Sequence, residues 1–403
     1  MFLFCRCDPY IHNYESKTVV LTHIYVHLEC KTPYRPRVEH KMRAYKPEQL
    51  PPKNLDWESI IPLLGRANRG IALYDGQLRS IVNPDVLLSP LRTQEAVLSS
   101  KIEGTQATLE EVMEFDAGGK TYEKRGDIHE VVNYRKALIA GRNHMEQLPL
   151  SLRVIRTMHE VLLTGVRGEA KDPGQFRKIQ NWIGGPGSTL ETARFIPPVV
   201  PDMMEGLYNW EKYLHADDKD ILVQLAVVHA QFEILHPFID GNGRIGRLLI
   251  PLFLFHKKVI HQPVFYMSHY LEGHRQAYYD ALKSVTDSGD WTKWVVFFLE
   301  GLVRQAEMNT AQTREILELY DSMKHTIVEK THSQWAIQCL DFIFSQPIFS
   351  SSDFHALSGV PKSSAARLLR SMEESGIVAC AVRGRGRRPG LYNFRRLINI
   401  VSL

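Results

Sequence analysis

Cysteine is scarce in this chain: its 403 residues include five, and no two of them form a CxxC pair. Structural zinc ribbons and thioredoxin-like redox centres rely on such pairs, so we expect neither class of protein. The five positions are Cys5, Cys7, Cys30, Cys339 and Cys380. An odd number of scattered cysteines indicates free thiols in a reducing cytoplasm.

Long apolar runs are also missing. The longest, residues 248–255, is eight residues long, whereas a membrane-spanning helix needs roughly 18 or more. Residues 1–7 are apolar but have neither a basic leader nor a small-residue cleavage site, so we do not expect a signal peptide. The sequence therefore predicts a cytoplasmic protein with no membrane partner.

Positive charge is concentrated in one part of the chain. The formal net charge is +4, but residues 331–403 contain nine Lys/Arg against four Asp/Glu, a net charge of +5. Residues 1–330 therefore carry a net charge of −1. A basic segment of this kind favours polyanions, of which nucleic acid is the first candidate.

Helical periodicity dominates residues 56–323, where apolar side chains recur every three or four residues. The pattern predicts helices over residues 56–69, 84–103, 109–115, 127–147, 151–163, 201–214, 219–235, 244–257, 270–286 and 290–323. We divide the chain into an N-terminal extension (1–45), a first helical region (46–115), a helical core (116–310), a connecting helix (311–331) and a C-terminal domain (332–403). Residues 1–41 are either a genuine extension, with a strand at 18–28, or sequence upstream of a start at Met42.

Two segments break the helical pattern. In residues 180–198, two short apolar runs flank a glycine-rich turn, which predicts a β-hairpin. Residues 332–403 predict three helices (333–344, 352–358 and 361–375) and two strands (377–382 and 391–394), with Ser351 or Ser352 as an N-cap and Gly376 as a C-terminal cap. Three helices and two strands make a winged helix. The predicted fold class is mainly α: a helical core with a β-hairpin flap, followed by a winged-helix domain.

The segment from residue 236 to 247, HPFIDGNGRIGR, has the composition of a phosphate site. The glycines of the turn at residues 240–243 can adopt positive φ and bring backbone N–H groups close to a ligand. The helix predicted after the turn presents its positive dipole end at the same place. Arg244 and Arg247 are three positions apart, so they share a helix face and can both hold phosphate oxygens.

Two further side chains of this segment can supply chemistry. Asp240 offers one hard carboxylate oxygen donor, which suits Mg²⁺ because this ion takes its other ligands from phosphates and water. His236 is the one nearby group whose usual pKa suits a general base at neutral pH. The segment therefore predicts metal-assisted chemistry on a phosphate compound.

Other interpretations of the segment are weaker. Gly241, Gly243 and Gly246 match GxGxxG, but a helix rather than a strand is predicted before them, and no acidic residue follows at the required distance. An EF-hand is disfavoured because Arg244 stands at a ligand position and Ile245 replaces the essential glycine. A plain connecting turn would explain the glycines but not the histidine, aspartate and two arginines.

Residues 236–247 resemble the signature of the Fic (filamentation induced by cAMP) family at every fixed position. The resemblance extends over roughly residues 42–307, through segments 151–163, 173–177, 180–184 and 195–198 before the signature and 270–291 after it. It implies a protein adenylyltransferase that uses ATP and Mg²⁺ and transfers AMP to a Ser, Thr or Tyr hydroxyl of a target protein.

The resemblance also implies a role for each site residue. His236 would take the proton of the target hydroxyl, and Asp240 would hold the metal. The nucleotide-binding residues would be Gly241, Asn242, Gly243 and Arg244 at the α- and β-phosphates and Arg247 at the γ-phosphate. The flap at residues 180–198 would dock the target by strand addition.

Residues 99–104, SSKIEG, resemble the inhibitory motif of the same family, a Ser or Thr followed by three residues and Glu-Gly. Its site residues are Ser99, Glu103 and Gly104. A glutamate at the end of a helix opposes the helix dipole, so a partner cation is expected. Arg247 is the candidate, and its pairing with Glu103 would occupy the γ-phosphate site.

Three aromatic residues near the signature have structural alternatives. His229 lies in a helix that is apolar nearly all round, which favours a hydrogen-bonded core histidine over a ligand. Tyr278 and Tyr279 either line an adenine pocket or pack in the core.

The preferred function is AMP transfer, a nucleotidyltransferase reaction of the EC 2.7.7 type, inhibited by Glu103. Three alternatives stay open: removal of AMP by the same site, transfer of another nucleotide or phosphate group, and a DNA-binding regulator whose Fic domain senses nucleotide. The expected partners are a target protein at the flap, the protein itself in self-modification, a second copy in a homodimer, and DNA at the basic wing. The wing residues are Arg383, Arg385, Arg387 and Arg388, and winged helices also bind proteins.

Overall fold

Helices form most of the protein, as the periodicity predicts. The computed structural model describes residues 44–81, 83–119, 124–185, 187–386 and 388–402. The strand predicted at 18–28, the first three cysteines and Arg387 lie outside these ranges. The helices up to residue 331 are α1 (Trp57–Arg79), α2 (Pro84–Leu87), α3 (Ser89–Ile102), α4 (Leu109–Asp116), α5 (Arg125–His144), α6 (Leu152–Leu163), α7 (Val200–His215), α8 (Ile221–Leu235), α9 (Asn242–His256), α10 (Ser268–Gly273), α11 (Arg275–Ser288) and α12 (Trp291–Thr331).

Helix α8 forms the centre of the core. It is apolar nearly all round, and thirteen of its fifteen residues are buried. Helices α7, α9 and α12 pack around it. Because α8 and α9 are both fixed by this packing, the loop at residues 236–241 that joins them is held at both ends.

The helix predicted over residues 84–103 is two helices. Pro90 has no backbone N–H and cannot continue the hydrogen-bond ladder of α2, but in the first turn of α3 this donor is not needed. The helix predicted over residues 270–286 likewise divides at His274, whose N–H caps α10 through the carbonyl of Tyr270. These two boundaries correct the sequence interpretation.

Helix α12 continues without a break for 41 residues. The helix predicted at 290–323 and the connecting helix predicted at 311–331 are therefore one element. Its side chains pack on α1, α8, α10 and α11 before they reach the C-terminal elements. No helix within the described residues combines the length and the apolar character that a membrane span requires.

The C-terminal residues contain the predicted elements and two more. Helices α13 (Ala336–Ser345), α14 (Ser351–Leu357) and α15 (Lys362–Glu374) accompany strands β2 (Ala379–Val382) and β3 (Leu391–Asn393). The sequence interpretation missed β1 (Ile348–Ser350) and α16 (Arg395–Val401), which are too short for a periodic pattern. The antiparallel sheet has the order β1-β3-β2. The N-cap of α14 is Ser350, one residue before the predicted candidates, because its hydroxyl accepts the Asp353 N–H in a capping box.

The C-terminal elements pack against helix α3. Both α13 and α16 contact α3, and β1 contacts α4. The side-chain amide of Gln312 in α12 donates to the carbonyl of Ile400 in α16 at 3.0 Å and lies 3.4 Å from Oε1 of Gln94 in α3. Arg395 forms an ion pair with Glu110 at 2.8 Å. The C-terminal module therefore lies directly against the helix that ends at the predicted inhibitory glutamate.

Candidate active site

The loop between α8 and α9 has a backbone that only particular residues accept. His236 ends α8 in the left-handed conformation with a φ of 47°, and Gly241 precedes α9 with a φ of 78°. A non-glycine residue at positive φ is uncommon and is retained where the surroundings enforce it. Asn242 closes the loop, because its Oδ1 accepts the Phe238 N–H at 2.8 Å and its Nδ2 donates to the Phe238 carbonyl at 2.9 Å.

The surroundings of His236 determine its protonation state. Its Nδ1 lies 3.3 Å from the carbonyl oxygen of Glu233, so the proton is favoured on Nδ1 and Nε2 keeps its lone pair. Burial lowers the pKa of His236 to about 4, although the Glu233 carbonyl and the charges of Glu103 and Asp240 act in the opposite direction. The imidazole is therefore neutral near pH 7.

The first turn of α9 is shaped for an anion. Gly243 lies in this turn, where the backbone N–H groups have no partner within the helix. A Cβ atom at Gly243 would lie 2.3 Å from Oε1 of Glu103 and 3.0 Å from Nη1 of Arg247. Glycine is therefore required because two functional side chains approach the backbone at this point.

Arg247 and Glu103 form the predicted ion pair. The guanidinium Nη2 lies 2.7 Å from Oε1 of Glu103 and donates to the carbonyl of Ser99 at 2.9 Å, and Nε donates to the Ser99 hydroxyl at 2.8 Å. Arg247 is 2% exposed, whereas the Glu103 side chain is 35% exposed at the edge of the site. Burial alone would raise the pKa of Glu103, but the charge and hydrogen bond of Arg247 hold it below its usual value.

The end of α3 fixes the position of Glu103. Gly104 has a φ of 102°, its N–H bonds the carbonyl of Lys101, and the Thr105 N–H bonds the carbonyl of Ser100. This double pattern is the Schellman motif, which a residue with a side chain at position 104 would strain. Ser99 and Glu103 thus meet at Arg247, and Gly104 ends the helix that positions them.

Arg244 has a more structural environment than the prediction suggested. Its guanidinium is 2% exposed, lies 3.0 Å from Oε2 of the buried Glu130 and reaches Oδ1 of Asp240 at 3.5 Å. The side chain therefore holds the loop against α5. Its predicted contact with phosphate oxygens stays a prediction.

Asp240 suits a single divalent cation. Its side chain is 38% exposed beside the anion-shaped turn, and Oδ1 accepts the Gly241 N–H at 2.6 Å. Within the described residues, no group of three or more His, Cys, Asp or Glu side chains could hold a metal. One accessible carboxylate beside a phosphate site fits Mg²⁺, because phosphate oxygens and water complete its coordination.

The sequence interpretation missed three residues that support the loop. His159 is fully buried, stacks on Phe238 with ring centroids 3.7 Å apart, accepts the Gly174 N–H at Nδ1 and bonds the Asp240 carbonyl through Nε2 at 2.9 Å. Arg177 and Asn181 bond the carbonyl of His236. They lie far from the loop in sequence, so spacing gave no signal.

The remaining aromatic residues are mainly structural. His229 is fully buried, its ring nitrogens bond the Gly246 carbonyl and the Tyr278 hydroxyl at 3.0 Å each, and it stacks on Trp294, which confirms a core histidine. Tyr278 is 2% exposed and packs in the core. Tyr279 is partly buried and lies under the guanidinium of Arg194.

Within the described residues, the predicted flap forms a hairpin with one bridged pair. Ile183 and Phe195 pair in antiparallel fashion, with N–H···O distances of 2.8 and 3.1 Å. The flap residues Trp182 and Leu190 are each 44% exposed, and Ile179, immediately before the flap, is 66% exposed. The flap therefore offers an apolar surface and a short extended backbone close to His236.

Comparison with known proteins shows which fold family this architecture resembles. A helical core, the loop of residues 236–241 before the first turn of α9, and a hairpin flap together define a Fic-type fold. Residues 61–143 match the Fic/DOC family N-terminal region, and residues 149–254 match the Fic/DOC family domain. These two matched regions belong to the Fic/DOC family.

Relatives named as adenylyltransferases match part of the chain. A protein adenylyltransferase Fic of Culex quinquefasciatus is 26% identical over 239 residues, which cover 57% of this chain and 43% of that protein. A probable protein adenylyltransferase of Aquifex aeolicus is 26% identical over 134 residues, 32% of this chain and 37% of that protein. The chain thus matches less than half the length of these relatives. A crystal structure of a Fic family protein from Desulfovibrio desulfuricans G20 covers 85% of this chain and 98% of its own, with 19% identity and a TM-score of 0.54, which shows a shared fold.

Proposed function

We propose that this protein transfers AMP from ATP to a Ser, Thr or Tyr hydroxyl of a target protein, and that Glu103 inhibits it. The main support is the neutral His236 beside the anion-shaped first turn of α9. Relatives of the chain carry the name adenylyltransferase, which agrees with this chemistry. The inhibited state is supported by the 2.7 Å pair between Glu103 and Arg247.

The reaction asks little covalent chemistry of the protein. The target oxygen attacks the α-phosphorus while its proton passes to Nε2 of His236, and the bond to pyrophosphate breaks. The N–H groups of the α9 turn hold the phosphate oxygens in line, and Arg247, once released, binds the γ-phosphate. When bound at Asp240, Mg²⁺ neutralises charge on the departing pyrophosphate.

The position of a radioactive label tests the transferred group. Incubated with ATP and Mg²⁺, the Glu103→Gly protein should become labelled from α-labelled ATP, release pyrophosphate and stay unlabelled with γ-labelled ATP. Label retained from the γ-position would indicate phosphate transfer instead. Parallel reactions with the other nucleoside triphosphates decide whether AMP is the preferred group.

The flap is the proposed docking site of the target protein. Strand addition to its short extended backbone supplies main-chain hydrogen bonds, and the exposed Trp182 and Leu190 add apolar contact. The same docking site can take a segment of the protein itself in self-modification or of a second copy in a homodimer.

Activity should require a divalent metal. We expect Asp240→Ala to lose transfer at ordinary Mg²⁺ concentrations, because the departing charge is then not neutralised. Transfer is measured with and without EDTA, and Asp202→Ala, a change in the first turn of α7, serves as control. Full activity in excess EDTA would contradict the metal assignment.

The pH dependence should report the low pKa of His236. A base acts only above its pKa, so kcat/KM should stay level as the pH falls from 8 through the usual histidine value of about 6.5. The acidic limb should lie nearer the burial-lowered pKa of about 4. An acidic limb centred at about 6.5 or higher would show that His236 is not the neutral base of the reaction.

A second proposed activity is DNA binding by the C-terminal module. Helix α15 exposes Lys362, Arg367 and Arg370, and the neighbouring turn exposes Arg385 and Arg388. We propose that α15 and the turn between β2 and β3 serve as the recognition helix and the wing of a winged helix, where these cations would bind phosphates of duplex DNA.

DNA binding should be weak and strongly dependent on salt. The affinity should fall with a log–log slope of about −0.9 for each phosphate contact. The double variant Arg367→Ala/Arg370→Ala should lose up to two phosphate contacts, so its log–log slope should become less steep by nearly 2 × 0.9, or about 1.8. Arg314→Ala, on the exposed face of α12, should leave the slope unchanged. If removal of residues 331–403 left DNA retention unchanged at about 50 mM salt, the module would have no such activity.

A further inference from the structure

Arg177 is a buried cation whose side-chain hydrogen bonds, in the part of the chain that the structure describes, all go to backbone carbonyls. The residue is 2% exposed and lies in the segment between α6 and the flap. Its Nε donates to the carbonyl of His236 at 3.0 Å, its Nη1 to that of Ile179 at 3.2 Å, and its Nη2 to that of Pro198. Within the described residues no carboxylate pairs with it. Since burying an unpaired charge is costly, the three carbonyls must hold it firmly.

The three carbonyls belong to two functional parts of the protein. Ile179 lies immediately before the flap of residues 180–198, and Pro198 is the last residue of the flap. The third carbonyl belongs to His236, the residue with the left-handed backbone. The amide of Asn181 supports the same carbonyl at 3.4 Å. One guanidinium therefore joins both ends of the flap to the backbone of the candidate base.

The charge of Arg177 also acts on the imidazole. Burial is the main cause that lowers the pKa of His236, while the Glu233 carbonyl, Glu103 and Asp240 raise it. The positive charge of Arg177 lowers it further. The residue thus affects both the position and the protonation state of His236.

We propose that Arg177 is a positioning residue for AMP transfer: it couples the flap, where the target docks, to the backbone of His236. This inference rests on the proposed function. Arg177 forms no hydrogen bond with Arg247 among the described residues, and it acts through the carbonyl of His236. Its removal should therefore affect the rate of transfer and not the binding of ATP.

The experiment uses the full chain with Glu103→Gly as the active parent. Arg177→Met removes the hydrogen bonds and the charge, Arg177→Lys keeps the charge, and Arg156→Met is the control. Arg156 lies on α6 and bonds the carbonyl of Gly174 in the same segment, but it does not contact the catalytic loop. The measurements are kcat, the Kd for ATP, the melting temperature and the pH profile.

We expect Arg177→Met to lower kcat by about 100-fold, because a misplaced base costs roughly this much. The Kd for ATP should stay within about twofold of the parent, and the acidic limb of the pH profile should move to higher pH. Arg177→Lys should lose less activity and leave the acidic limb in place. If Arg177→Met does not fold, the lysine variant still tests the loss of kcat at constant Kd.

Several results would overturn the proposal. These are a kcat within about threefold of the parent, an equal loss in Arg156→Met, a loss explained by weaker ATP binding, or an acidic limb unmoved in Arg177→Met. Failure of the proposed function is separate, because the Glu103→Gly parent would then transfer no AMP at all.

Discussion

Replacing Glu103 by glycine is expected to raise AMP transfer strongly, by about 100-fold, because misplacing a reacting group by about 1 Å costs that much. In the structure Arg247 donates to Glu103 and Ser99 and is not available to a γ-phosphate. Without the carboxylate, Arg247 can bind the γ-phosphate and ATP can align its α-phosphate for attack. Transfer is measured as label incorporated from α-labelled ATP.

Three variants show whether the effect of Glu103→Gly depends on the ion pair. Glu103→Gln keeps size and hydrogen bonding but not charge, and should activate partially. Adding Arg247→Ala to Glu103→Gly should abolish the gain. Glu272→Gln is the control. Glu272 lies on α10 and pairs with Lys101 near the end of α3 but does not pair with Arg247, so this change should leave transfer unchanged.

The Glu103→Gly variant also distinguishes transfer of AMP from removal of AMP. If the protein removes AMP, Glu103 would orient the attacking water, and Glu103→Gly should abolish removal. A Glu103→Gly protein that is no more active in transfer and no less active in removal would refute the inhibitory role.

Replacing His236 by alanine is expected to abolish transfer while ATP binding stays nearly intact. Loss of one general base typically costs ~10²–10⁴-fold in rate. The imidazole bonds the Glu233 carbonyl and does not lie on the phosphate turn of α9, so the nucleotide keeps its contacts. The rate and the Kd for ATP are measured in the Glu103→Gly background.

His261→Ala is the matched control for the histidine change. His261 pairs with Asp75 at 2.7 Å, away from the catalytic loop, so its loss should leave the rate unchanged. Transfer by the His236→Ala protein within about threefold of its parent would remove His236 from the mechanism.

The sequence predicted the parts of the site that are close together in the chain. The glycines, Asp240 and the arginines lie within twelve residues, and the chemistry of a phosphate loop explains each of them. The pairing of Glu103 with Arg247 could be predicted across 144 positions only because a family motif and an unfavourable helix-end charge indicated the same partner.

The supporting residues could not be predicted in the same way. Glu130 is 114 positions from Arg244, His159 is 81 from Asp240, and Arg177 is 59 from His236. Each of these residues lies beside the loop because its helix, or the segment before the flap, packs against the loop. Such tertiary packing leaves no spacing pattern in the sequence. The division of the predicted helix at residues 84–103 was readable from Pro90, which begins a helix more readily than it continues one.

The central claim is that Glu103 and the γ-phosphate of ATP compete for Arg247. It is tested most directly by comparing the affinities of ATP and ADP in the wild-type protein and in Glu103→Gly. In the wild-type protein Arg247 is held by Glu103, so the γ-phosphate adds little and the two nucleotides should bind with similar Kd values. In Glu103→Gly, a charged hydrogen bond to the γ-phosphate should favour ATP by about 1.5–3 kcal/mol, or roughly 10- to 100-fold. The same ratio of ATP to ADP affinity in both proteins would contradict the account.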